Sequence, residues 1–300
     1  MKDLKVRTIT AVILIAILIP VVFFGGIFIT IPCAIFSILA TYELEKMYKK
    51  EDKWSFHSIY PIVMSGIAYF ALYIALYNYL PLKESVVLEP IFNAAPGLRS
   101  RSFSLILLLG LFLVNGAIMI FDDKTNIDNM SKSLLSIFYP AIGFVSLSTI
   151  RNYESGLYRE GLFILLYAVI ICFMTDVFAY FFGSKFGKHK LSPISPKKSI
   201  EGSIAGTVFA LVIGSAFAIL SGVHVILFPY NLEVWQIILT IILTLLLSVI
   251  DEIGDLFASK LKRYYGIKDY SNLFPGHGGI LDRFDSYIFV ATMILLILLI

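Results

Sequence analysis

Long apolar stretches alternate along the chain with short polar segments. About 20 apolar residues are needed to cross roughly 30 Å of hydrocarbon as a helix, and nine stretches meet or approach that length. None of them alternates residue by residue as a barrel strand would. The predicted helices cover residues 8–26, 27–48, 58–82, 103–121, 133–150, 161–182, 203–222, 234–256 and 280–300. The pattern predicts an all-α, polytopic membrane protein with about nine transmembrane helices.

Composition supports a membrane location and excludes several other classes. Hydrophobic residues make up 58% of the 300 residues and charged residues only 15%, against about 25% charged in soluble proteins. The net charge of +3 is too small for a nucleic-acid partner, which requires a dense basic face. Cys33 and Cys172 lie inside apolar stretches and are predicted to be small buried residues without a redox role.

The distribution of lysine and arginine predicts the orientation in the membrane. If the N-terminus is cytoplasmic, 19 of the 24 basic residues fall on the cytoplasmic side and five on the other. A cleavable signal peptide is the alternative for the first stretch, but no small-residue cleavage site follows it. We therefore expect an uncleaved first helix, a cytoplasmic N-terminus and an external C-terminus, with the basic loops 185–198 and 260–268 both facing the cytoplasm.

Ionisable residues are distributed unevenly between the two halves of the chain. Residues 1–160 carry few of them inside the predicted helices and are predicted to form a scaffold of about five helices, followed by a catalytic region of about four helices at 161–300. Residues 83–102 are predicted to form an external loop. Asp176 lies within the sixth helix, and the eighth apolar stretch ends at Asp251, Glu252 and Asp255.

Carboxylates within hydrocarbon cost about 2.5–3.5 kcal/mol each, so they usually mark a functional site. If the eighth helix continues through Arg263, then Asp251, Asp255, Ser259 and Lys262 share one face. Two alternatives remain open: residues 251–255 mark the point where the helix leaves the bilayer, or the helix is solvated and carries spaced ion pairs.

A glycine-rich segment at residues 274–285 precedes the ninth apolar stretch and contains His277, Gly278 and Gly279. Glycines beside a helix N-terminus allow backbone N–H groups to converge on an anion such as phosphate. The segment ends with Asp282, Arg283 and Asp285. Ordinary capping of the helix by aspartate is the alternative explanation.

A third polar cluster precedes the seventh apolar stretch and contains Ser195, Lys197 and Lys198. Hydroxyl and ammonium groups at the membrane surface suit phosphate or anionic lipid, although the cluster also fits a generic positive-inside loop. Together the three clusters indicate metal-assisted phosphoryl or nucleotidyl transfer. Carboxylates without paired cysteine or histidine favour Mg²⁺ over Zn²⁺, and the chain contains no P-loop motif.

The signature residues of this region resemble those of phosphatidate cytidylyltransferases. The resemblance is carried by the 27 positions from Ser259 to Asp285, which include the pairs Lys268-Asp269 and Phe274-Pro275 and the run Asp282-Arg-Phe-Asp285. The stretch 195–202 and Asp176 are also similar to that family. The resemblance is strong over about residues 170–285 and rests on hydropathy alone elsewhere.

The resemblance implies an enzyme of the bacterial inner membrane, with its active site facing the cytoplasm, that joins CTP to phosphatidic acid. It further implies dependence on Mg²⁺, with a second cation left open, and a homodimer. Asp255 and Asp282 are expected to bind the metal and act in catalysis, with Asp251 as a further metal ligand. Lys262 and His277 are the other catalytic candidates. The substrate-binding candidates are Ser195, Lys197, Lys198, Ser259, Arg263, Gly278, Gly279, Arg283 and Asp285.

Two other functions fit parts of the pattern. A cation-coupled transporter could place Asp176, Asp251 and Asp255 along an ion path, but such acids should lie near the middle of the membrane. A lipid phosphotransferase that uses another activated head group would also need metal-binding carboxylates.

The orientation can be tested with reporter fusions. We expect a reporter inserted in the 185–198 loop and one placed after Ile300 to report opposite compartments, because the basic residues favour a cytoplasmic N-terminus. Enzymatic reporters active on only one side of the membrane would measure this. The same compartment for both fusions would exclude the predicted topology.

Overall fold

We describe a computed structural model of the chain that covers residues 2–48, 56–82, 88–122, 126–156, 159–229 and 232–300. Within those ranges the regular secondary structure is helical, and no strand is present. A 3₁₀ turn at Pro96–Arg99 separates α4 from α5. The helices are α1 Lys2–Phe24, α2 Ile27–Tyr48, α3 Phe56–Tyr77, α4 Leu88–Ala94, α5 Arg101–Phe121, α6 Ile127–Asn152, α7 Glu160–Phe186, α8 Ile200–Leu220, α9 Val223–Leu227, α10 Glu233–Tyr264 and α11 Leu281–Leu298.

The long helices confirm an all-α membrane protein. Among the described residues, seven helices are long and apolar enough to cross a membrane. The apolar part of α1, Thr8–Phe24, is shorter, and α11 has 18 residues with charged residues in its first turn. The predicted number of nine crossings is therefore not confirmed.

Two predicted boundaries differ from the structure in an informative way. The segment 83–102 is not irregular throughout, because α4 and the 3₁₀ turn occupy most of its described part, 88–102; residues 83–87 lie outside the described residues. Helix α10 continues to Tyr264, eight residues beyond the end of the predicted apolar stretch. The continuation through Arg263 on which the shared polar face depends is thus confirmed.

The chain divides into two compact units. The first contains residues up to Ser155 together with Asp269–Arg283, and the second contains Gly156–Lys268 together with Phe284–Ile300. The glycine-rich segment as far as Arg283 therefore belongs to the same unit as α2, although more than 200 residues separate them in sequence. Residues 269–283 thus join the N-terminal helices that the sequence pattern suggested were a separate scaffold.

Buried polar side chains of the first unit form hydrogen bonds with backbone groups and with one another. Asn152 accepts a hydrogen bond from the Gly26 N–H at 2.6 Å and donates to Thr30 Oγ1 at 3.0 Å and to Tyr73 at 3.2 Å. Arg151 donates to the carbonyls of Val22 and Phe23, at the C-terminal end of α1. Because hydrocarbon offers no hydrogen bonds, these contacts supply what water would supply elsewhere and tie α1 to α6.

Helices α7 and α8 of the second unit pack with their backbones in close approach. One face of α8 is lined with small residues at four-residue spacing, where a Cβ on Gly202 would meet the Ala179 carbonyl at 2.5 Å. The opposite face presents Ile204, Val208 and Val212, whose side chains are exposed as expected for contact with lipid. Small residues are typical of helix interfaces in membranes, because close packing rather than the hydrophobic effect drives association there.

Hydroxyl pairs join α7 to α10 in the same unit. Tyr167 and Thr244 lie 2.8 Å apart, and Thr175 and Ser248 also lie 2.8 Å apart, with all four side chains fully buried. Such pairs fix the register of one helix against another. They set Asp176, one residue after Thr175, at the same level as the carboxylates that follow Ser248.

Replacement of Gly206 by alanine should weaken the α7–α8 interface. The new Cβ would overlap the Thr175 carbonyl, so the two helix backbones must separate, at a cost of about 1–3 kcal/mol. Gly116 of α5 is the matched control because it has open space around it, and alanine there should be neutral or slightly stabilising. Thermal unfolding of both variants in detergent measures the difference, and equal melting temperatures would contradict this packing.

Candidate active site

Carboxyl groups gather at one end of the second unit. Asp176 lies on α7, Asp251, Glu252 and Asp255 lie on α10, and Asp285 lies on α11. Their charges act on one another, since Asp255 is an electrostatic neighbour of both Asp176 and Asp285. Such a concentration of negative charge is costly unless cations neutralise it.

Lys198 supplies one of those cations. Its Nζ lies 2.6 Å from Asp255 Oδ2 and 3.9 Å from Asp176 Oδ1, and its side chain is 23% exposed. Burial disfavours the ammonium form, but the two carboxylates outweigh that effect and raise the pKa of Lys198 above its usual value. Lys198 is therefore charged at neutral pH.

Asp251 lies deeper than the other carboxylates. Its side chain is fully buried, and within the described residues neither carboxylate oxygen accepts a hydrogen bond. The weakly donating thiol of Cys172 is a neighbouring group. Lys198 and Ser286 are also electrostatic neighbours of Asp251. A buried carboxylate whose oxygens lack hydrogen bonds of normal geometry is unfavourable, so a proton or a further cation would stabilise this position.

The loop between α7 and α8 is shaped by Glu201 and Ser199. Glu201 accepts hydrogen bonds from the backbone N–H groups of Lys188 and His189, and its Oε1 lies 2.7 Å from His189 Nδ1. Ser199 caps α8 by accepting from the Gly202 N–H at 3.2 Å. A further turn joins the Lys198 N–H to the Ser195 carbonyl at 3.1 Å. The loop therefore has a defined shape.

The predicted site residues of this loop differ in their surroundings. Ser195 is half-buried, Lys197 is exposed and Lys198 points toward the carboxylates. The sequence suggested equal roles for the two lysines, whereas the structure places only Lys198 in contact with the acidic cluster. Glu201 was part of the family resemblance, but its role in shaping the loop could not be predicted from the sequence.

The remaining predicted residues of α10 lie beyond Asp255. Lys262 is buried and is an electrostatic neighbour of Asp285, and Ser259 is half-buried. Arg263 is exposed and donates to the Ile267 carbonyl at 3.1 Å, which closes the C-terminal end of the helix. The polar face also extends in the other direction through four buried residues that the sequence analysis did not identify, namely Gln236, Thr240, Thr244 and Ser248.

The glycine-rich segment of the first unit folds around Asp282. Its Oδ2 accepts hydrogen bonds from the backbone N–H groups of Tyr270 at 2.8 Å and Gly279 at 2.9 Å. The φ angle of Gly278 is +85°, a conformation that residues other than glycine rarely adopt. Arg283 Nε donates to the His277 carbonyl at 2.6 Å. Local contacts thus hold together four predicted site residues, namely His277, Gly279, Asp282 and Arg283.

Glu43 of α2 completes this arrangement. Its carboxylate accepts hydrogen bonds from the N–H groups of Ile280 at 2.9 Å and Leu281 at 3.0 Å. The N–H groups that were predicted to bind phosphate therefore bind carboxylates of the protein itself, Asp282 and Glu43. Glu43 was not among the residues predicted from the sequence, although a glutamate within an apolar helix is a signal that could have pointed to it.

Comparison with known proteins gives the family. The sequence model of the cytidylyltransferase family matches residues 5–300. The chain belongs to this family. It is 32% identical over 302 residues to the phosphatidate cytidylyltransferase of Staphylococcus saprophyticus, and this covers 99% of both chains. The enzymes of the same name from Staphylococcus aureus strain COL and Staphylococcus haemolyticus are 32% and 30% identical, also over 99% of each chain.

The donor groups of this cytidylyltransferase-family chain suit a hard divalent cation. Carboxylates are preferred Mg²⁺ ligands, and the buried oxygens of Asp251 have no hydrogen-bond partner among the described residues. No three acidic, histidine or cysteine side chains in the described ranges are already arranged as a metal site. Asp255 and Asp282 fall in different units, and their joint binding of a metal stays a prediction.

The contrast between the two lysines can be tested directly. Lys198→Ala should lower the rate of cytidylyl transfer at least about 100-fold, because it removes the ammonium from Asp255 and Asp176 and leaves like charges together. Lys197→Ala should have less than about a tenfold effect, since that side chain is exposed. Both purified variants are compared with the parent in a turnover assay and by melting temperature. Equal losses in folded variants would contradict the distinction between the two lysines, and full activity in both would favour the generic basic loop.

Proposed function

We propose that the chain transfers a cytidylyl group from CTP to phosphatidate, giving CDP-diacylglycerol and pyrophosphate. Membership of the cytidylyltransferase family over residues 5–300 supports this reaction type, and the name of the staphylococcal relatives supports the substrate. The structural observation that carries the proposal is the ammonium of Lys198, which contacts Asp255 within a cluster of carboxylates. Phosphoryl chemistry needs such an arrangement of cations and acidic groups.

The reaction joins one oxygen of the lipid phosphate to the α-phosphorus of CTP. The bond between that phosphorus and the oxygen bridging to the β-phosphorus breaks, and pyrophosphate leaves with the bonding electrons. A phosphate monoester is largely ionised near neutral pH, so no strong general base is needed. Positioning and charge neutralisation therefore account for most of the catalysis.

The residues of the second unit can provide both positioning and charge neutralisation. Lys198 remains an ammonium because Asp255 and Asp176 stabilise its charge, and its Nζ can donate to phosphate oxygens. The exposed Lys197 adds positive charge on the same loop. We propose that Asp251 and Asp255 hold Mg²⁺, with Asp176 as their neighbour. When bound, Mg²⁺ would reduce the negative charge on the transferring phosphates and on pyrophosphate.

The location follows from the chemistry of the substrates. Phosphatidate is a membrane lipid and CTP is soluble in the cytoplasm, so the site should lie at the cytoplasmic surface of a bacterial inner membrane. The excess of basic residues in the 185–198 loop supports that orientation. A homodimer is also part of the proposal and follows from the family resemblance alone.

A turnover assay with purified protein in detergent tests the proposal. With CTP, phosphatidate and Mg²⁺, the protein should release pyrophosphate and form a cytidine-containing lipid. Omission of phosphatidate should abolish pyrophosphate release, because the lipid phosphate is the nucleophile, and chelation of Mg²⁺ should also stop it. Asp255→Asn should lower turnover at least about 100-fold, since the amide keeps the shape but loses the charge.

The same protein in sealed vesicles separates the enzyme from the transporter. A transporter has no reason to consume CTP in detergent, whereas an enzyme does not require a sealed compartment. Two results together would support a transporter instead of an enzyme. They are the absence of CTP turnover under all lipid and metal conditions and a movement of cations that depends on Asp176. Turnover with another activated head group but not with CTP would indicate the lipid phosphotransferase.

A further inference from the structure

We infer that Glu43, in the N-terminal half of the chain, is a positioning residue. It holds residues 276–283 of the glycine-rich segment in their active conformation. That segment carries His277, Asp282 and Arg283, which are predicted catalytic and substrate-binding residues. The inference rests on the proposed cytidylyl transfer, because its consequence is measured on that reaction. It assigns a role in activity to a half of the chain that the sequence pattern predicts to be scaffold.

Three donors converge on the Glu43 carboxylate. Oε1 accepts from Ser271 Oγ at 2.6 Å and from the Ile280 N–H at 2.9 Å, and Oε2 accepts from the Leu281 N–H at 3.0 Å. Glu43 is only 2% exposed. A buried carboxylate with three hydrogen bonds is far more favourable than a buried carboxylate with none, and each broken bond leaves a buried charge with fewer partners. The contacts therefore fix Ser271, which precedes the segment, and Ile280 and Leu281 within it to α2.

Glu43 also faces the N-terminal end of α11, which begins at Leu281. The first N–H groups of a helix have no partner within the helix, and the helix dipole favours a negative charge beside them. Residues 280 and 281 are aliphatic and cannot cap the helix with their own side chains. Glu43 supplies that cap from a residue 237 positions away in sequence.

The absence of a side chain at Gly279 fits this role. A Cβ on Gly279 would lie 2.6 Å from Glu43 Cδ and 2.7 Å from Oε2. Gly279 has no positive φ angle, so its backbone conformation does not explain the glycine. The close approach of the Glu43 carboxylate explains why residue 279 is a glycine. The Gly279 N–H in turn donates to Asp282, which connects the position of Glu43 to that of Asp282 through one residue.

Glu45 provides a matched comparison on the same helix. It is also acidic and buried, at 6% exposure, but its charge acts on Tyr60 of α3. Glu43→Gln and Glu45→Gln therefore remove the same charge from the same helix at nearly the same depth. An effect caused merely by loss of a buried carboxylate would appear in both variants.

We would compare both variants with the parent protein in two measurements. The first is steady-state kinetics with CTP and phosphatidate, in which Glu43→Gln should lower kcat at least about tenfold. Additional substrate should not restore the rate, because Glu43 acts by holding Ser271, Ile280 and Leu281 of the protein itself. The second is amide hydrogen exchange, in which peptides covering 270–283 should lose protection in Glu43→Gln and keep it in Glu45→Gln.

Gly279→Ala gives an independent test with Glu43 intact. Its methyl group would displace the carboxylate, so it should reproduce the loss of kcat and the increased exchange at 280–281. In combination with Glu43→Gln it should add less than about a twofold further loss, because both changes act on one contact.

The outcomes separate this inference from the proposed function. If the parent protein does not turn over CTP, the proposed function fails, whereas the exchange data still report on the contact. If the parent is active, equal kinetics and exchange for the two glutamine variants would overturn the role of Glu43. A rise in KM with unchanged kcat, or fully additive losses with Gly279→Ala, would overturn it as well.

Discussion

The structure depends on the requirement that polar and charged groups within a membrane find partners in the protein, because hydrocarbon supplies none. Asn152 bonds to the backbone at the start of α2, and Arg151 bonds to the end of α1. Lys198 pairs with Asp255, and Glu43 binds the start of α11. Each contact joins segments that are distant in sequence. The same requirement therefore stabilises the fold and places the candidate functional residues.

Two buried carboxylates differ in how far they meet this requirement. Glu43 is fully paired with backbone and hydroxyl donors and is suited to hold structure. Asp251 is equally buried, yet its oxygens have no hydrogen-bond partner within the described ranges, which suits a group that receives a ligand during function. Two acidic residues of similar burial are thus distinguished by their partners. Neither burial nor the presence of a carboxyl group separates them.

Close helix packing places these groups with the precision that the chemistry needs. The small face of α8 lets α7 approach until backbone atoms touch, and hydroxyl pairs such as Thr175 and Ser248 fix the register of α7 against α10. Gly254 similarly leaves room for α11, since a Cβ there would lie 3.0 Å from the Asp285 carbonyl. Bulkier residues at these positions would move the carboxylates apart while leaving the hydropathy of the chain unchanged.

The helical membrane architecture and much of the chemistry could be predicted from the order of residues. Hydropathy depends on neighbouring residues, so the long apolar helices follow from local pattern, whereas the continuation of α10 to Tyr264 was only one of the interpretations that the sequence left open. The signature residues between Ser259 and Asp285 indicated the family. Only the tertiary structure showed that Lys198 and not Lys197 meets the carboxylates, and that Glu43 takes the N–H groups expected to bind phosphate. These facts concern contacts between distant segments, which local periodicity does not encode, and they are decided by how the helices pack.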